Sequence, residues 1–152
     1  MKRAAAVVIA LFILLSSPAL AADTAPKRKV DPGWQKKSDT IAVLITKGKF
    51  EQAIRDSESL MAELKKKGMQ ESYEASTTLN NLGIAYMYNK EFENAHAALV
   101  KAVAIRIKVL GKDDPETAAV WLNLADLHLA MARLYRGEYD RIDKAAKGKK
   151  GK

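Results

Sequence analysis

The chain has 152 residues, of which 48% are hydrophobic and 29% are charged, a composition typical of globular domains and unlike that of fibrous or wholly disordered proteins. The net charge of +8 lies at the two ends, because residues 31–143 contain sixteen basic and seventeen acidic residues. This balance argues against a folded nucleic-acid surface, on which Lys and Arg should cluster. The sequence has no cysteine, which excludes disulfides, a thiolate nucleophile and cysteine-bound zinc.

Residues 1–21 have the pattern of a secretory signal peptide. Lys2-Arg3 precedes an apolar run over residues 4–15, and Ala19-Leu20-Ala21 supplies the small residues of a cleavage site. The run is shorter than the roughly 20 apolar residues that span a bilayer, although an uncleaved anchor is the alternative interpretation. We therefore expect cleavage before Ala22 and export to the periplasm, with secretion as the other destination.

Two short polar segments flank the remaining body. Residues 22–30 are too polar and too short to bury a core, which predicts a flexible leader. Residues 144–152 contain no aromatic residue and no arginine, which predicts a disordered, solvated tail. The tail either improves solubility or attracts an anionic envelope surface weakly through its lysines. These lysines are Lys144, Lys147, Lys149, Lys150 and Lys152.

The body between these segments has the signals of successive α-helices. Apolar residues recur at three- and four-residue steps, which is the period of a helix. Asp31-Pro32 and Asp114-Pro115 each place a capping acid before a proline, whereas Lys67-Gly68 and Leu110-Gly111 are typical of helix ends. The predicted helices span residues 32–47, 50–67, 73–88, 91–110 and 115–136, with a weaker helix over 138–147.

A spacing of 42 residues organises these helices. Residues 49–53 are Lys-Phe-Glu-Gln-Ala, and residues 91–95 are Glu-Phe-Glu-Asn-Ala. Asn81-Leu82 returns as Asn123-Leu124 at the same offset. Self-similarity at a fixed period of this length indicates stacked structural repeats, each of two helices.

Large and small side chains alternate along the middle unit, at Leu79, Leu82, Gly83, Tyr86, Phe92, Ala95, Leu99 and Ala102. This pattern resembles the tetratricopeptide repeat (TPR), in which two antiparallel helices approach closely. The 42-residue spacing is similar to the kinesin-light-chain-like variety of that repeat. The resemblance covers about residues 34–136 and weakens outward. It implies an all-α fold, a right-handed α-α superhelix of about two and a half to three helix pairs, in a TPR domain over residues 31–143.

The third unit departs from the pattern. Tyr139 follows Leu124 by 15 residues, whereas Phe92 follows Leu82 by 10. We expect the opening helix of this unit to overrun its turn and to cap the stack. By analogy with the close helix pair of the middle unit, Gly83 and Ala125 are both expected at close contacts between paired helices.

The resemblance also implies a binding surface. In the family, the first helix of each unit lines a concave surface, and an asparagine beside the core leucine often binds the backbone of a peptide. Asn81 and Asn123 occupy that place, although the alternative is that they only tie neighbouring helices together. The predicted partner-binding residues are Thr77, Asn80, Asn81, Ile84, Tyr88, Asn123 and Asp126.

No combination of side chains in the sequence predicts catalysis. Glu93 and His96 form only half of the carboxylate–histidine pattern of a di-iron bundle, so we interpret His96 as a surface residue. His128 occupies the place of Tyr86, which predicts a packing role. Asp113-Asp114 precedes a proline and is best explained as a helix cap. We expect no enzyme activity, no cofactor and no bound metal.

Two functional hypotheses follow. The first is an exported, non-catalytic interaction module or adaptor that holds a peptide segment of an envelope protein, of unknown identity, on its concave face. The second is a structural subunit that self-associates or joins an envelope assembly through open edges, with Trp34, Ile41 and Leu44 at one end or Trp121 and Tyr135 at the other. Neither hypothesis involves nucleic acid.

The signal peptide gives the first testable prediction. Expression of the complete sequence in a bacterial host should yield an exported chain whose first residue is Ala22, because residues 1–21 form a complete export signal. Intact-mass measurement and N-terminal sequencing check this result. A chain that keeps Met1 and sediments with membranes would instead identify residues 4–20 as an anchor.

Overall fold

The structure, a computed structural model, describes residues 28–150, with side chains through residue 147. These residues form only helices and connecting turns: α1 (Pro32–Thr46), α2 (Phe50–Lys66), α3 (Tyr73–Tyr88), α4 (Phe92–Leu110) and α5 (Pro115–Lys150). Each helix packs against the next, and α3 and α4 share the most extensive interface. The fold is the all-α solenoid that the resemblance implied. The predicted signal segment lies outside the described residues.

The helix starts follow the capping signals of the sequence. The Asp31 carboxylate accepts hydrogen bonds from the backbone N–H groups of Gly33 at 2.7 Å and Trp34 at 3.2 Å. These bonds stabilise the charged form and hold the pKa of Asp31 below its ordinary value. Asp114 accepts from the backbone of Glu116 at 2.8 Å in the same way at α5. Both predicted caps are therefore confirmed.

The core has a large part and a small part. The large part joins α1 to α4 and continues to Val120 at the start of α5, and Trp34 connects α1 to α3 inside it. The indole of Trp34 donates to the Thr78 hydroxyl at 3.1 Å and meets the Tyr73 ring edge-on. The small part holds α5 against α4, and its fully or nearly buried members are Ala95, Leu99, Leu124 and Leu127.

The α3–α4 interface depends on a glycine. A Cβ atom placed on Gly83 would lie 2.6 Å from Cγ of Leu99 and 3.3 Å from the backbone oxygen of Ala95. Such a distance is too short for two carbon atoms, so only glycine permits this approach of the helices. The close contact predicted at Gly83 is confirmed.

The last helix corrects two expectations and confirms one. The separate helices over 115–136 and 138–147 are one helix of 36 residues, so the predicted overrun is confirmed and continues to Lys150. Gly137 does not interrupt α5, because a glycine in a helix costs only about 1 kcal/mol. The expectation that Ala125 lies in a close helix pair is wrong: Ala125 is exposed, since α5 runs on without a second helix folding back on it.

The tail was expected to be disordered from residue 144, but its first seven residues continue α5. Ala145 and Ala146 favour the helix, and Lys147 pairs with Asp143 one turn earlier at 2.8 Å. Lys144 and Lys147 are exposed on this helix. Lys149 and Lys150 continue its backbone, and Lys152 lies outside the described residues.

The end of the leader is also more ordered than its composition predicts. Val30 packs against the large core, and Arg28 lies over the ring of Tyr73, with 3.8 Å between its guanidinium carbon and the ring centroid. The earlier part of the leader lies outside the described residues. Within the described residues, no helix combines the length and the apolar character needed to cross a membrane.

Two glycines on different helices test the packing argument. Gly83→Leu should lower the free energy of unfolding by about 1–3 kcal/mol, because the new side chain must displace Leu99. Gly137→Leu is the matched control: a Cβ there meets no atom within 4 Å, so the better helix propensity of leucine should raise stability by roughly 0.5–1 kcal/mol. Urea unfolding at one protein concentration measures both. Equal effects at the two positions would contradict the close contact.

Candidate functional site

The predicted binding residues of α3 share one open face. Thr77, Asn81 and Ile84 are half-buried, and Tyr88 is 44% exposed. Tyr88 stacks on Phe50 of α2, with ring centroids 5.4 Å apart and planes 16° apart. This contact fixes the orientation of an aromatic ring that is nevertheless accessible from solvent. We call the open side of α1, α3 and α5 the inner face.

Side-chain amides connect the three helices of the inner face. Asn123 of α5 donates to the side-chain oxygen of Asn80 on α3 at 2.8 Å. Asn81 of α3 donates to the Ser38 hydroxyl of α1 at 3.5 Å. Each bond joins residues 43 positions apart, so both belong to one repeating arrangement. The first is a normal hydrogen bond, whereas the second is at the limit of hydrogen-bond length.

Asn81 and Asn123 therefore differ in the strength of their hydrogen bonds to the neighbouring helix. The Asn123 amide donates a short hydrogen bond that ties α3 to α5. The Asn81 amide is half-buried and makes only a long bond to Ser38. An amide has two donor hydrogens and two acceptor lone pairs, so a peptide backbone on the inner face could bind Asn81 at little cost to the helix contact.

Carboxylates lie on both sides of α3. Asp126 of α5 is half-buried, one turn beyond Asn123. Asp39 of α1 is exposed and accepts from the amide of Gln35 at 2.8 Å. The inner face thus combines amides, an aromatic ring and flanking acids. These groups can bind a polypeptide backbone, an apolar side chain and basic side chains, respectively.

A buried arginine beside this face was not predicted. Arg106 of α4 is only 4% exposed. Its guanidinium donates to the Glu116 carboxylate of α5 at 2.9 Å and to the Thr77 hydroxyl at 2.9 Å, and it lies 4.3 Å from the centroid of the Tyr73 ring. The only feature of the sequence that could have indicated a buried role is the position of Arg106 as a single charged residue in the otherwise apolar stretch from Ala102 to Ile107.

Tyr73 lies between two guanidinium groups. Arg106 and Arg28 each contact its ring, and its hydroxyl donates to Glu116 at 2.7 Å. Burial and then this hydrogen bond raise the pKa of Tyr73 above its ordinary value. Because the group includes residues from the leader, α3, α4 and α5, it fixes Thr77 and the adjacent part of the inner face.

The two histidines lie together at the α4–α5 contact. His96 and His128 are exposed, and their rings meet edge-on with centroids 5.4 Å apart. His128 therefore contacts the preceding unit, as its place in the repeat predicted. Among the described residues, no group of three or more His, Cys, Asp or Glu side chains is arranged to hold a metal ion.

The buried arginine gives a stability prediction. Arg106→Met keeps a long side chain but removes the hydrogen bonds to Thr77 and Glu116, so it should cost about 1–3 kcal/mol. The control, Arg133→Met, changes an exposed arginine on α5 and should alter stability by less than about 0.5 kcal/mol. Thermal and urea unfolding compare the two. Equal stabilities would show that the contacts of Arg106 contribute nothing.

The comparisons with known proteins agree with this architecture. Residues 74–135 match a family model described as tetratricopeptide repeat. The match covers α3, α4 and the packed part of α5, and it includes all seven predicted partner-binding residues. A search of curated proteins found no match. The family match and the paired helices together support a tetratricopeptide repeat protein.

Proposed function

We propose that this protein is an exported, non-catalytic adaptor whose inner face binds a peptide segment of an envelope protein. TPR repeats generally mediate protein–protein interactions, and the matched residues contain the whole predicted binding surface. The observation that carries the proposal is the half-open face of α3, where Asn81 and Tyr88 lie about two turns apart on one side of the helix and Asn81 contacts Ser38 of α1.

The chemistry of the inner face favours an extended peptide with basic residues. Asn81 can donate to and accept from a peptide backbone without regard to its side chains. Tyr88 offers an aromatic contact of the kind that often dominates binding energy. Asp39 of α1 and Asp126 of α5 lie on the helices on either side of α3 and favour lysine or arginine on the bound segment by charge complementarity.

Export belongs to the same proposal. The signal pattern of residues 1–21 supports it, and the periplasm is the compartment we propose. The lysines near the end of α5 would then add a weak attraction to anionic envelope surfaces. The exposed apolar side chains of α5 favour the second candidate function, self-association through the edge at Trp121 and Tyr135. The edge expected at the other end is not open, because Trp34, Ile41 and Leu44 are buried.

Replacement of the inner-face asparagines tests the adaptor proposal. The Asn81→Ala/Asn123→Ala double variant should capture the native partner from envelope extract at least ten-fold more weakly, since two hydrogen bonds of about 1 kcal/mol each are lost. The single variants separate the roles: Asn123→Ala should also lower stability, because its bond to Asn80 is short, whereas Asn81→Ala should leave stability nearly unchanged.

The control for this experiment is Asn94→Ala, which removes an exposed amide of α4 outside the inner face. Circular dichroism establishes whether each variant is folded, and quantitative pull-down measures capture. Wild-type capture by the folded double variant would overturn the concave-face hypothesis. If the double variant is unfolded, the asparagines only hold neighbouring helices together and the site assignment is wrong.

The lysine-rich end gives a separate prediction. Deletion of residues 144–152 should weaken retention on an anionic envelope surface only slightly, and the difference should vanish at high salt, because exposed charges are screened within about a Debye length. Co-sedimentation with anionic vesicles at low and high ionic strength measures it. A deletion effect that persists at high salt would contradict an electrostatic role.

A further inference from the structure

The exposed side of α5 carries a regular stripe of eight residues. Successive members are separated by alternating steps of four and three residues, and every one of them is exposed. A strict seven-residue repeat of this kind is the pattern of a helix that packs along its length against another helix. We call this stripe the α5 seam: Trp121, Ala125, His128, Ala132, Tyr135, Tyr139, Ile142 and Ala146.

The seam continues the α3–α4 interface of the preceding unit. Trp121 and Ala125 lie 42 residues after Leu79 and Gly83, which α3 uses to pack against α4. Leu79 is 6% exposed, whereas Trp121 is 49% exposed. The third unit therefore presents the face that normally receives a second helix, and within the described residues no second helix of this chain covers it.

We propose that the helix that covers the α5 seam is α5 of a second copy of the chain, paired antiparallel about a twofold axis. A twofold interface requires one surface to be complementary to itself. We place the axis between residues 133 and 134, so that each seam residue of one copy lies opposite a seam residue of the other. Three of the four distinct pairs then combine a large side chain with an alanine. Across the axis, Trp121 meets Ala146, Ala125 meets Ile142, Ala132 meets Tyr135, and His128 meets Tyr139.

The length of α5 fits this arrangement. Its 36 residues span about 54 Å at 1.5 Å per residue, and the last residue that packs on the core is Met131. Residues 135–146 lie beyond the stack of their own chain. In the pair, they would lie over residues 121–132 of the other copy, where the missing second helix of the third unit belongs. Ile142 would then face Ala125 as Leu99 faces Gly83.

The exposed area of the α5 seam reaches the lower end of the range for a specific interface. Trp121, Tyr135, Tyr139 and Ile142 are each between 49% and 63% exposed. Large side chains of this kind bury up to roughly 150–250 Å² each, so these four with His128 and the alanines offer about 600 Å² per copy, close to the roughly 800 Å² of a standard stable interface. Apolar stripes of this size on a monomer mark interaction sites.

The mass of the protein in solution tests whether a second copy covers the α5 seam. Sedimentation equilibrium of the chain recovered after expression of residues 1–152 should give mainly dimer from about 5 to 100 µM, as a dissociation constant of about 1 µM or tighter implies. Tyr139→Asp should shift it to monomer in this range, because a carboxylate would enter the seam. The control is Leu134→Asp, which changes an equally exposed residue (54%) of α5 outside the seam and should leave the dimer intact.

Disulfide trapping tests the register, and the natural chain contributes no cysteine of its own. Ala125→Cys and Ile142→Cys in one chain lie about 25 Å apart along α5, so they cannot bond within a copy, but they should link two copies rapidly on oxidation. The matched pair His128→Cys and Ala146→Cys should not link, because the register places these positions one heptad step from each other across the axis and each of them farther still from its own counterpart in the other copy.

Each other outcome overturns the proposal. A monomer at 100 µM excludes the second copy and assigns the seam to a different chain. If the Tyr139→Asp variant is still a dimer, the interface lies elsewhere. The same conclusion follows if the Leu134→Asp variant is a monomer. Linkage of the control pair alone excludes the stated register. The seam and the inner face are different sides of α5, so peptide capture by the monomeric Tyr139→Asp variant shows whether the adaptor proposal stands independently.

Discussion

The close approach of α3 and α4 at Gly83 determines the rest of this structure. Because Leu99 lies against a position that has no side chain, α4 can pack deeply enough to carry Arg106 onto the ring of Tyr73. The other side of Leu99 helps to bury Leu124 and Leu127 of α5. The absence of a side chain at Gly83 therefore determines both the position of Arg106 beside the inner face and the packing of α5 on α4.

The repeat made most of this architecture predictable from the sequence. The capping pairs Asp31-Pro32 and Asp114-Pro115 locate two helix starts, and the resemblance of the middle unit to the tetratricopeptide repeat places Gly83 at the helix contact. The role of Arg106 was not predictable, because its ring and hydroxyl partners come from α3 and its carboxylate partner comes from α5. The prediction of a separate helix over residues 138–147 was wrong, because Gly137 lies on an exposed helix surface, where a glycine costs too little to end the helix.

The inner face shows how one residue type can have two roles in a repeat. Ser38 with Asn81 and Asn80 with Asn123 are successive steps of one polar ladder, but their bond lengths differ by 0.7 Å. A short amide–amide bond holds neighbouring units in register. A long bond gives up little energy when a competing backbone group arrives. The ladder can thus be rigid at α5 and adaptable at α1.

The last helix of the stack differs from the helices before it, because its outer face is exposed. A helical solenoid that ends in solvent requires a terminal helix with a polar outer face. In α5 the outer face instead carries Trp121, Tyr135 and Tyr139, each about half or more exposed, in strict seven-residue register with alanines. Selection for solubility alone would remove these side chains. Their regular spacing is typical of a helix that packs against another helix, and the self-complementary order of large and small residues makes an identical helix the simplest partner.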